Sequence, residues 1–184
     1  MSTLPPNTFI AFFKGMELAT LTDIYAEAGQ PTLSTGESAG WAWVTLDARA
    51  DHTGRSAQDL AQKITGFRYT DRASRPDHVE SVFLASTPAC TCPHGQNYFV
   101  PHCDDHPFQF AYCEGGFGLL YFNLGQRRES RRTGDLLVGE LLAAGIVGRE
   151  TGYDTDPDFN SDGEVTLRII VEHFQLPSPP LLPR

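Results

Sequence analysis

The chain has 184 residues, which is the size of one globular domain with a single buried core. Hydrophobic residues make up 40% of the chain and charged residues 20%, so the composition excludes a disordered chain. The 23 aspartates and glutamates outnumber the 14 lysines and arginines, and the net charge of −9 argues against nucleic acid as the main partner. Neither a secretory signal nor a membrane-spanning apolar run is visible, so we expect a protein made in the cytoplasm, without a membrane role.

The N-terminal part of the chain predicts a strand, a helix and a second strand. The first strand is the apolar run Phe9–Phe13, and the helical pattern after it ends at Gly29. A polar loop around Gly36 leads to Trp41–Leu46, whose aromatic and β-branched residues are typical of a strand. A second helix is predicted to begin at Ser56, where the sequence resembles a capping box.

The rest of the chain predicts further strands and one more helix. Glu114-Gly-Gly116 separates the last two of the middle strands and is typical of an antiparallel hairpin. A third helix is expected from Thr133 to Gly145, with a wide apolar face. Alternating apolar residues predict a last strand over Val165–Phe174. The predicted middle strands are Phe67–Tyr69, Val79–Leu84, Phe108–Cys113 and Phe117–Phe122.

Together these elements predict an α+β fold with a mainly antiparallel sheet and two or three short helices. One domain is expected over residues 1–174, with a Cys/His-rich loop at residues 88–107 that a bound zinc ion could hold in place. The proline-rich residues 175–184 are expected to form an extended arm without a fold of its own.

All four cysteines and three of the six histidines lie between Cys90 and Cys113. Such clustering favours a local metal site over a disulfide framework. Structural zinc takes four thiolate or imidazole ligands, and a C-x-C pair followed by a C-x-x-H pair supplies them here. The preferred ligands are Cys90, Cys92, Cys103 and His106, with His94, His102 and Cys113 as substitutes. Reduced, buried cysteines and a disulfide are the alternatives that the sequence leaves open.

An acidic stretch at residues 150–164 holds six acids and no base. Within it, Asp158, Asn160 and Asp162 match the first half of an EF-hand calcium loop, in which alternate oxygens face the ion. Ile169 stands where that loop requires a bidentate glutamate, so calcium is not expected. The favoured interpretation is a solvated loop that leads into the last strand.

A basic stretch precedes the predicted third helix. Guanidinium groups near a helix N-terminus can hold a phosphate or a carboxylate-rich partner. The alternative is a solvated loop whose charge Glu129 and neighbouring acids partly neutralise. The candidate partner-binding residues are Arg127, Arg128, Arg131 and Arg132.

Several stretches resemble an uncharacterised protein family that is common in high-GC Gram-positive bacteria. They are Phe12–Met16, Gly40–Val44, and Tyr121–Asn123 taken together with Arg131–Gly134 and Leu141–Gly145. These stretches cover a minor part of the chain, and none is a catalytic signature. The family looks like a set of small accessory proteins without an assigned activity, so the resemblance implies no site residues.

Motifs for nucleotide binding or for a hydrolase nucleophile are missing from the sequence. We therefore expect a non-catalytic structural or interaction protein that contacts other protein subunits, as an accessory component of a larger assembly such as a bacteriophage particle. One alternative is an acidic inhibitor or immunity-type protein that binds a basic partner. The other is a zinc-dependent hydrolase, which needs an open zinc position that a four-ligand site does not leave.

Overall fold

The computed structural model describes residues 2–5, 8–47, 79–86, 108–114, 117–123, 136–156, 158–160 and 162–183. Eight strands and four helices lie in these ranges. In chain order they are β1 (Ser2–Thr3), β2 (Thr8–Lys14), α1 (Leu18–Glu27), β3 (Ser34–Ser38), β4 (Trp41–Asp47), β5 (Glu80–Ser86), β6 (Phe108–Glu114), β7 (Phe117–Asn123), α2 (Val138–Ala143), α3 (Gly152–Thr155), α4 (Glu164–Phe174) and β8 (Leu182–Pro183). The helix predicted at Ser56, the predicted strand Phe67–Tyr69 and the Cys/His-rich loop at 88–107 lie outside the described residues.

Six strands form one antiparallel sheet in the order β3-β4-β2-β5-β6-β7, and β1 and β8 form a separate antiparallel pair. With helices packed around the sheet, this architecture confirms the predicted α+β fold. The predicted pairing of β6 with β7 is confirmed as well, and its register shifts between Tyr112 and Cys113.

Both faces of the sheet are buried. Alternate residues of a strand point to opposite sides, and each side carries its own apolar cluster. Phe13 of β2 lies in one apolar cluster with Leu21 and Tyr25 of α1, on the side that we call the α1 face. Its neighbour Phe12 lies in a second cluster with residues of α2 and α4, including Ile170, on the α4 face. All five side chains are fully buried. The sheet is therefore the middle layer between α1 on one side and α2 and α4 on the other.

The predicted strand, helix and strand of the N-terminal part are confirmed by β2, α1 and β4. Gly29 follows α1 with a φ of 68°, the left-handed geometry that ends many helices. The polar loop predicted around Gly36 is wrong, because residues 34–38 form the edge strand β3, paired with β4.

The predicted last strand is also wrong, because residues 164–174 form the helix α4. Thr166 and Ile170 are fully buried, although an alternating pattern would place both on the polar side of a strand. They lie four residues apart, which is the spacing of neighbours on one helix face. Apolar residues are frequent enough in this stretch to fit both the two-residue period of a strand and the 3.6-residue period of a helix. Burial against the sheet favours the helix.

The helix α2 is shorter than the one predicted over residues 133–145. It begins at Val138, and the predicted N-cap lies outside the described residues. Gly145 follows it with a φ of 71°, as expected for a helix end. The apolar face is buried only in part, since Leu141 is buried and Leu142 is 51% exposed. None of the helices in the described ranges has the length and apolarity that a membrane span requires.

The C-terminal residues pack against the domain, whereas the sequence predicts an extended arm. Residues 178–180 form a turn, and Leu176 and Leu181 are buried in the cluster of the α4 face. Beyond the turn, β8 pairs with β1. Prolines are compatible with this arrangement, because a turn and a two-residue ladder require few backbone N–H donors.

Candidate functional site

Most of the residues singled out by sequence patterns lie outside the described part of the chain. The zinc ligands among them are Cys90, Cys92, His94, His102, Cys103 and His106. The partner-binding arginines among them are Arg127, Arg128, Arg131 and Arg132. The zinc site and the basic surface therefore stay predictions.

Cys113, the remaining substitute zinc ligand, lies in β6 with 3% of its surface exposed. It packs in the apolar cluster between the sheet and α1, as a small hydrophobic residue would. Within the described ranges, no group of three histidine, cysteine or acidic side chains could hold a metal ion.

Two of the candidate calcium residues cap the helix α4. Asn160 is buried; its Oδ1 accepts a hydrogen bond from the Val165 N–H at 2.9 Å, and its Nδ2 donates to Thr166 Oγ1 at 2.8 Å. Asp162 Oδ1 accepts a hydrogen bond from the Glu164 N–H at 3.1 Å. The first turn of a helix has no backbone acceptors for its N–H groups, and these two side chains supply them.

The third candidate calcium residue, Asp158, is exposed, and its N–H donates to Asp156 Oδ1 at 2.9 Å. Because α4 begins at Glu164, the chain is already helical where a calcium loop would still surround the ion. In the structure the acidic stretch thus contains the short helix α3, followed by a turn and the cap of α4, and it leads into a helix instead of the predicted strand.

A row of charged residues crosses one end of the sheet on the α4 face. The strand register places Lys14, Glu80 and Glu114 side by side on β2, β5 and β6. Lys14 Nζ lies 3.5 Å from Glu80 Oε2 and 5.7 Å from the centre of the Trp41 ring. Tyr112 Oη donates to Glu114 Oε2 at 3.4 Å, and burial, reinforced by two neighbouring carboxylates, raises the pKa of this phenol. The phenol is therefore neutral at physiological pH. The ion pair of Lys14 with Glu80 links the ends of β2 and β5.

The C-terminal end of α4 is fastened by contacts with two strands and with α2. Trp41 Nε1 donates to the Phe174 carbonyl at 3.0 Å, and the Phe174 ring lies 4.7 Å from that of Tyr112. His173 Nδ1 lies 2.9 Å from Glu140 Oε1 of α2. The Glu140 carboxylate also accepts a hydrogen bond from its own backbone N–H, and this bond together with the one from His173 lowers its pKa. These polar groups position helices on the sheet.

The strand β3 forms one edge of the sheet, and all its side chains are exposed or half-buried. Residues 39 and 40 form a two-residue turn to β4, with φ values of 52° and 80°. Such a turn makes Ser38 and Trp41 a hydrogen-bonded pair. Bonded and non-bonded pairs alternate along an antiparallel ladder, so Thr35 and Glu37 direct their N–H and C=O groups away from β4.

The inner side of β3 is tightly held by β4. A Cβ atom on Gly36 would lie 2.5 Å from the Trp43 ring, so this glycine lets the indole cover the strand. Ser34 Oγ and Thr45 Oγ1 lie 2.6 Å apart in a hydrogen bond. Leu33, just before the strand, is 63% exposed. The edge is therefore held firmly by β4, and on its outer side no other strand of the described residues pairs with it.

An acidic surface borders this edge. Residues 15–47 contain five acids and no lysine, arginine or histidine. Glu37 lies opposite Ala42, whose side chain belongs to the cluster of the α1 face, so Glu37 lies on that side of the sheet. The helix α1 packs on β3 and β4. The exposed acids of this surface are Glu17, Asp23, Glu27 and Glu37.

Sequence reasoning misses this edge because serine, glycine and glutamate are weak strand formers. The one signal that could have indicated it is Gly40, directly before the strong strand pattern of Trp41–Leu46, since a glycine there permits a two-residue hairpin turn. Pairing with β4 imposes the strand.

Comparison with known proteins supplies no relative for this chain: no protein-family model, no curated protein and no solved structure matches it.

Proposed function

We propose that this protein is a non-catalytic interaction protein that serves as an accessory subunit of a larger protein assembly. The observation that supports this most is that β3 forms an edge of the sheet in the described part of the chain, with the exposed Leu33 beside it. An edge strand with unpaired backbone groups is a surface to which another chain can add a strand. The polar side chains at the charged row and at both ends of α4 have structural roles, in strand contacts and in helix positioning.

The size of the native complex tests this proposal. A cell extract is separated by size-exclusion chromatography, the chain is followed with an antibody, and the isolated complex is weighed by native mass spectrometry. We expect the 20.3 kDa chain to elute in a larger particle, at a fixed ratio to other proteins. Co-sedimentation with purified phage would identify a bacteriophage particle as that assembly. Elution as a monomer at every protein concentration would contradict the proposal.

A second candidate function is favoured by the acidic surface of α1 and β3. An acidic inhibitor or immunity-type protein would form a discrete complex with one basic partner. Its affinity would fall as salt rises from about 0.1 to 1 M, because the Debye length shrinks from roughly 10 to 3 Å. An assembly subunit should instead stay at fixed multiples in its particle at high salt.

The zinc prediction has a separate test. Metal analysis of the purified protein should give about one zinc per chain, and Cys90→Ser should remove it. Because structural zinc contributes to folding, a chelator should lower the melting temperature. Under the hydrolase alternative, His106→Ala would abolish an activity and leave the melting temperature nearly unchanged. A chain without bound zinc would show that the cluster prediction is wrong.

A further inference from the structure

We propose that β3 binds a basic, extended segment of a partner protein, which adds to the sheet as a seventh strand. This inference rests on the proposed function and deepens it, since it names the binding surface and the chemistry of the partner.

The backbone of β3 supplies the pairing groups. Thr35 and Glu37 each direct one N–H and one C=O group away from β4. An extended segment beside β3 satisfies these groups and continues the ladder, as in other cases of strand addition. The contact between Gly36 and Trp43 holds the strand in the required conformation before the partner arrives.

The charge of the surroundings selects a basic segment. Glu37 lies on the same side of the sheet as α1, where Asp23 and Glu27 are exposed. Alternate side chains of an added strand point to that side, so lysine or arginine at alternate positions would face these acids. Lys14 does not neutralise them, because it lies on the α4 face beside Glu80.

A second copy of this chain fits the edge poorly. If two β3 strands paired in the antiparallel sense about a two-fold axis perpendicular to the sheet, both α1 helices would lie on the same side of the joined sheet. The acids of the two copies would then face one another across the junction, and each copy carries a net charge of −9. Repulsion between like charges opposes this pairing.

The test uses a synthetic peptide of about eight residues in which lysine and threonine alternate, a length that covers β3. Binding is followed through the backbone amide signals of the isotope-labelled protein. We expect shifts concentrated in residues 34–38. A peptide with glutamate in place of lysine should bind at least about tenfold more weakly, because it repels the acidic surface.

Two controls separate strand addition from charge attraction alone. The same basic peptide with every peptide nitrogen methylated keeps its charge but cannot donate backbone hydrogen bonds, and it should bind about tenfold more weakly. In the protein, Thr35→Pro removes one outward N–H and should weaken binding about tenfold, whereas Thr35→Ala keeps this donor and should stay within about twofold. If Thr35→Pro does not fold, the methylated peptide still distinguishes strand addition from charge attraction.

Three results would overturn the inference: no binding at about 1 mM basic peptide, equal binding of the methylated peptide, or shifts centred away from β3. Dimerisation of the chain that Thr35→Pro alone abolishes would assign the edge to a second copy. If the peptide does not bind but the native complex is found, the assembly role is supported and binding at β3 is contradicted. If the peptide binds β3 but the native chain is a monomer, binding at β3 is supported and the assembly role is contradicted.

Discussion

The two faces of the six-stranded sheet are covered by parts of the chain that differ in sequence distance. The α1 face is covered by the helix that directly follows β2, so much of its cluster is local in sequence. The α4 face is covered mainly by side chains between Leu137 and Leu181, which are remote in sequence from β2, β4 and β5, and also by Leu4, just before β2. Bringing distant segments together costs more chain entropy than packing neighbouring ones. Burial of apolar side chains must offset this cost, and among the described residues the cluster on the α4 face is the larger of the two. The comparison shows that the α1 face is covered by a helix next to one of its own strands in sequence, whereas the helices on the α4 face reach the sheet only after distant segments meet.

The largest expected effects come from two neighbouring phenylalanines that point to opposite faces. Phe12→Ala and Phe13→Ala should each lower the free energy of unfolding by about 3–5 kcal/mol, because each leaves a cavity in a fully buried site. Hydrogen exchange should distinguish them, with faster exchange in α4 for Phe12→Ala and in α1 for Phe13→Ala. The corresponding leucine variants serve if an alanine variant does not fold. Faster exchange of the same amides in both variants would show that the two faces are not separate.

A smaller loss is expected at the cap of α4. Asn160→Ala should lower the free energy of unfolding by about 2–3 kcal/mol, because it removes an acceptor for the Val165 N–H and leaves the buried Thr166 hydroxyl without this donor. Asn160→Asp keeps the acceptor, loses the donor and adds a negative charge to a buried site, so it should cost about 1–2 kcal/mol. Chemical denaturation measures both. Equal losses would show that the bond to Val165 contributes little.

The two faces also differ in the hydrogen bonding of a buried tyrosine. Within the described structure, Tyr25 Oη on the α1 face has no hydrogen-bond partner, whereas Tyr112 Oη on the α4 face donates to Glu114. Tyr25→Phe should raise the free energy of unfolding by about 1 kcal/mol, because it removes a buried polar group that gains nothing in the folded state. Tyr112→Phe should lower it slightly. A loss of stability in Tyr25→Phe would mean that its hydroxyl is satisfied in solution.

The smallest expected effect concerns the contact that ties α2 to α4. The pKa of Glu140 is lowered in the folded protein, so its ionised form stabilises the fold above its ordinary pKa of 4.5, and this contribution is lost as the pH falls through the lowered value. The Glu140 side chain is about half exposed, so Glu140→Gln should cost less than about 0.5 kcal/mol at pH 6. Denaturation curves should converge with those of the unaltered protein near pH 3. A difference that grows toward low pH would contradict this sign.

Local signals were sufficient on the α1 face and insufficient on the α4 face. The apolar run before Gly15, the helical spacing of Leu21 and Tyr25, and the glycine at the end of α1 all agree with one structure. In residues 164–174 the apolar side chains satisfy the periods of both a strand and a helix, and packing of Thr166 and Ile170 decides between them. Likewise, Asn160 resembles an ion ligand in the sequence and acts as a helix cap in the structure.

By itself, the sequence determined the α+β class, the hairpin of β6 and β7, and the presence and order of β2, α1 and β4, because these depend on neighbouring residues whose preferences agree. Only the tertiary structure decided that β3 is a strand, that α4 is a helix and that Leu176 and Leu181 return to the core. The physical reason is that weak or ambiguous local preferences, of well under 1 kcal/mol per residue, are overruled by backbone pairing and by burial against a sheet. The proposed partner surface lies at β3, where local preference is weakest and the fold alone creates an edge.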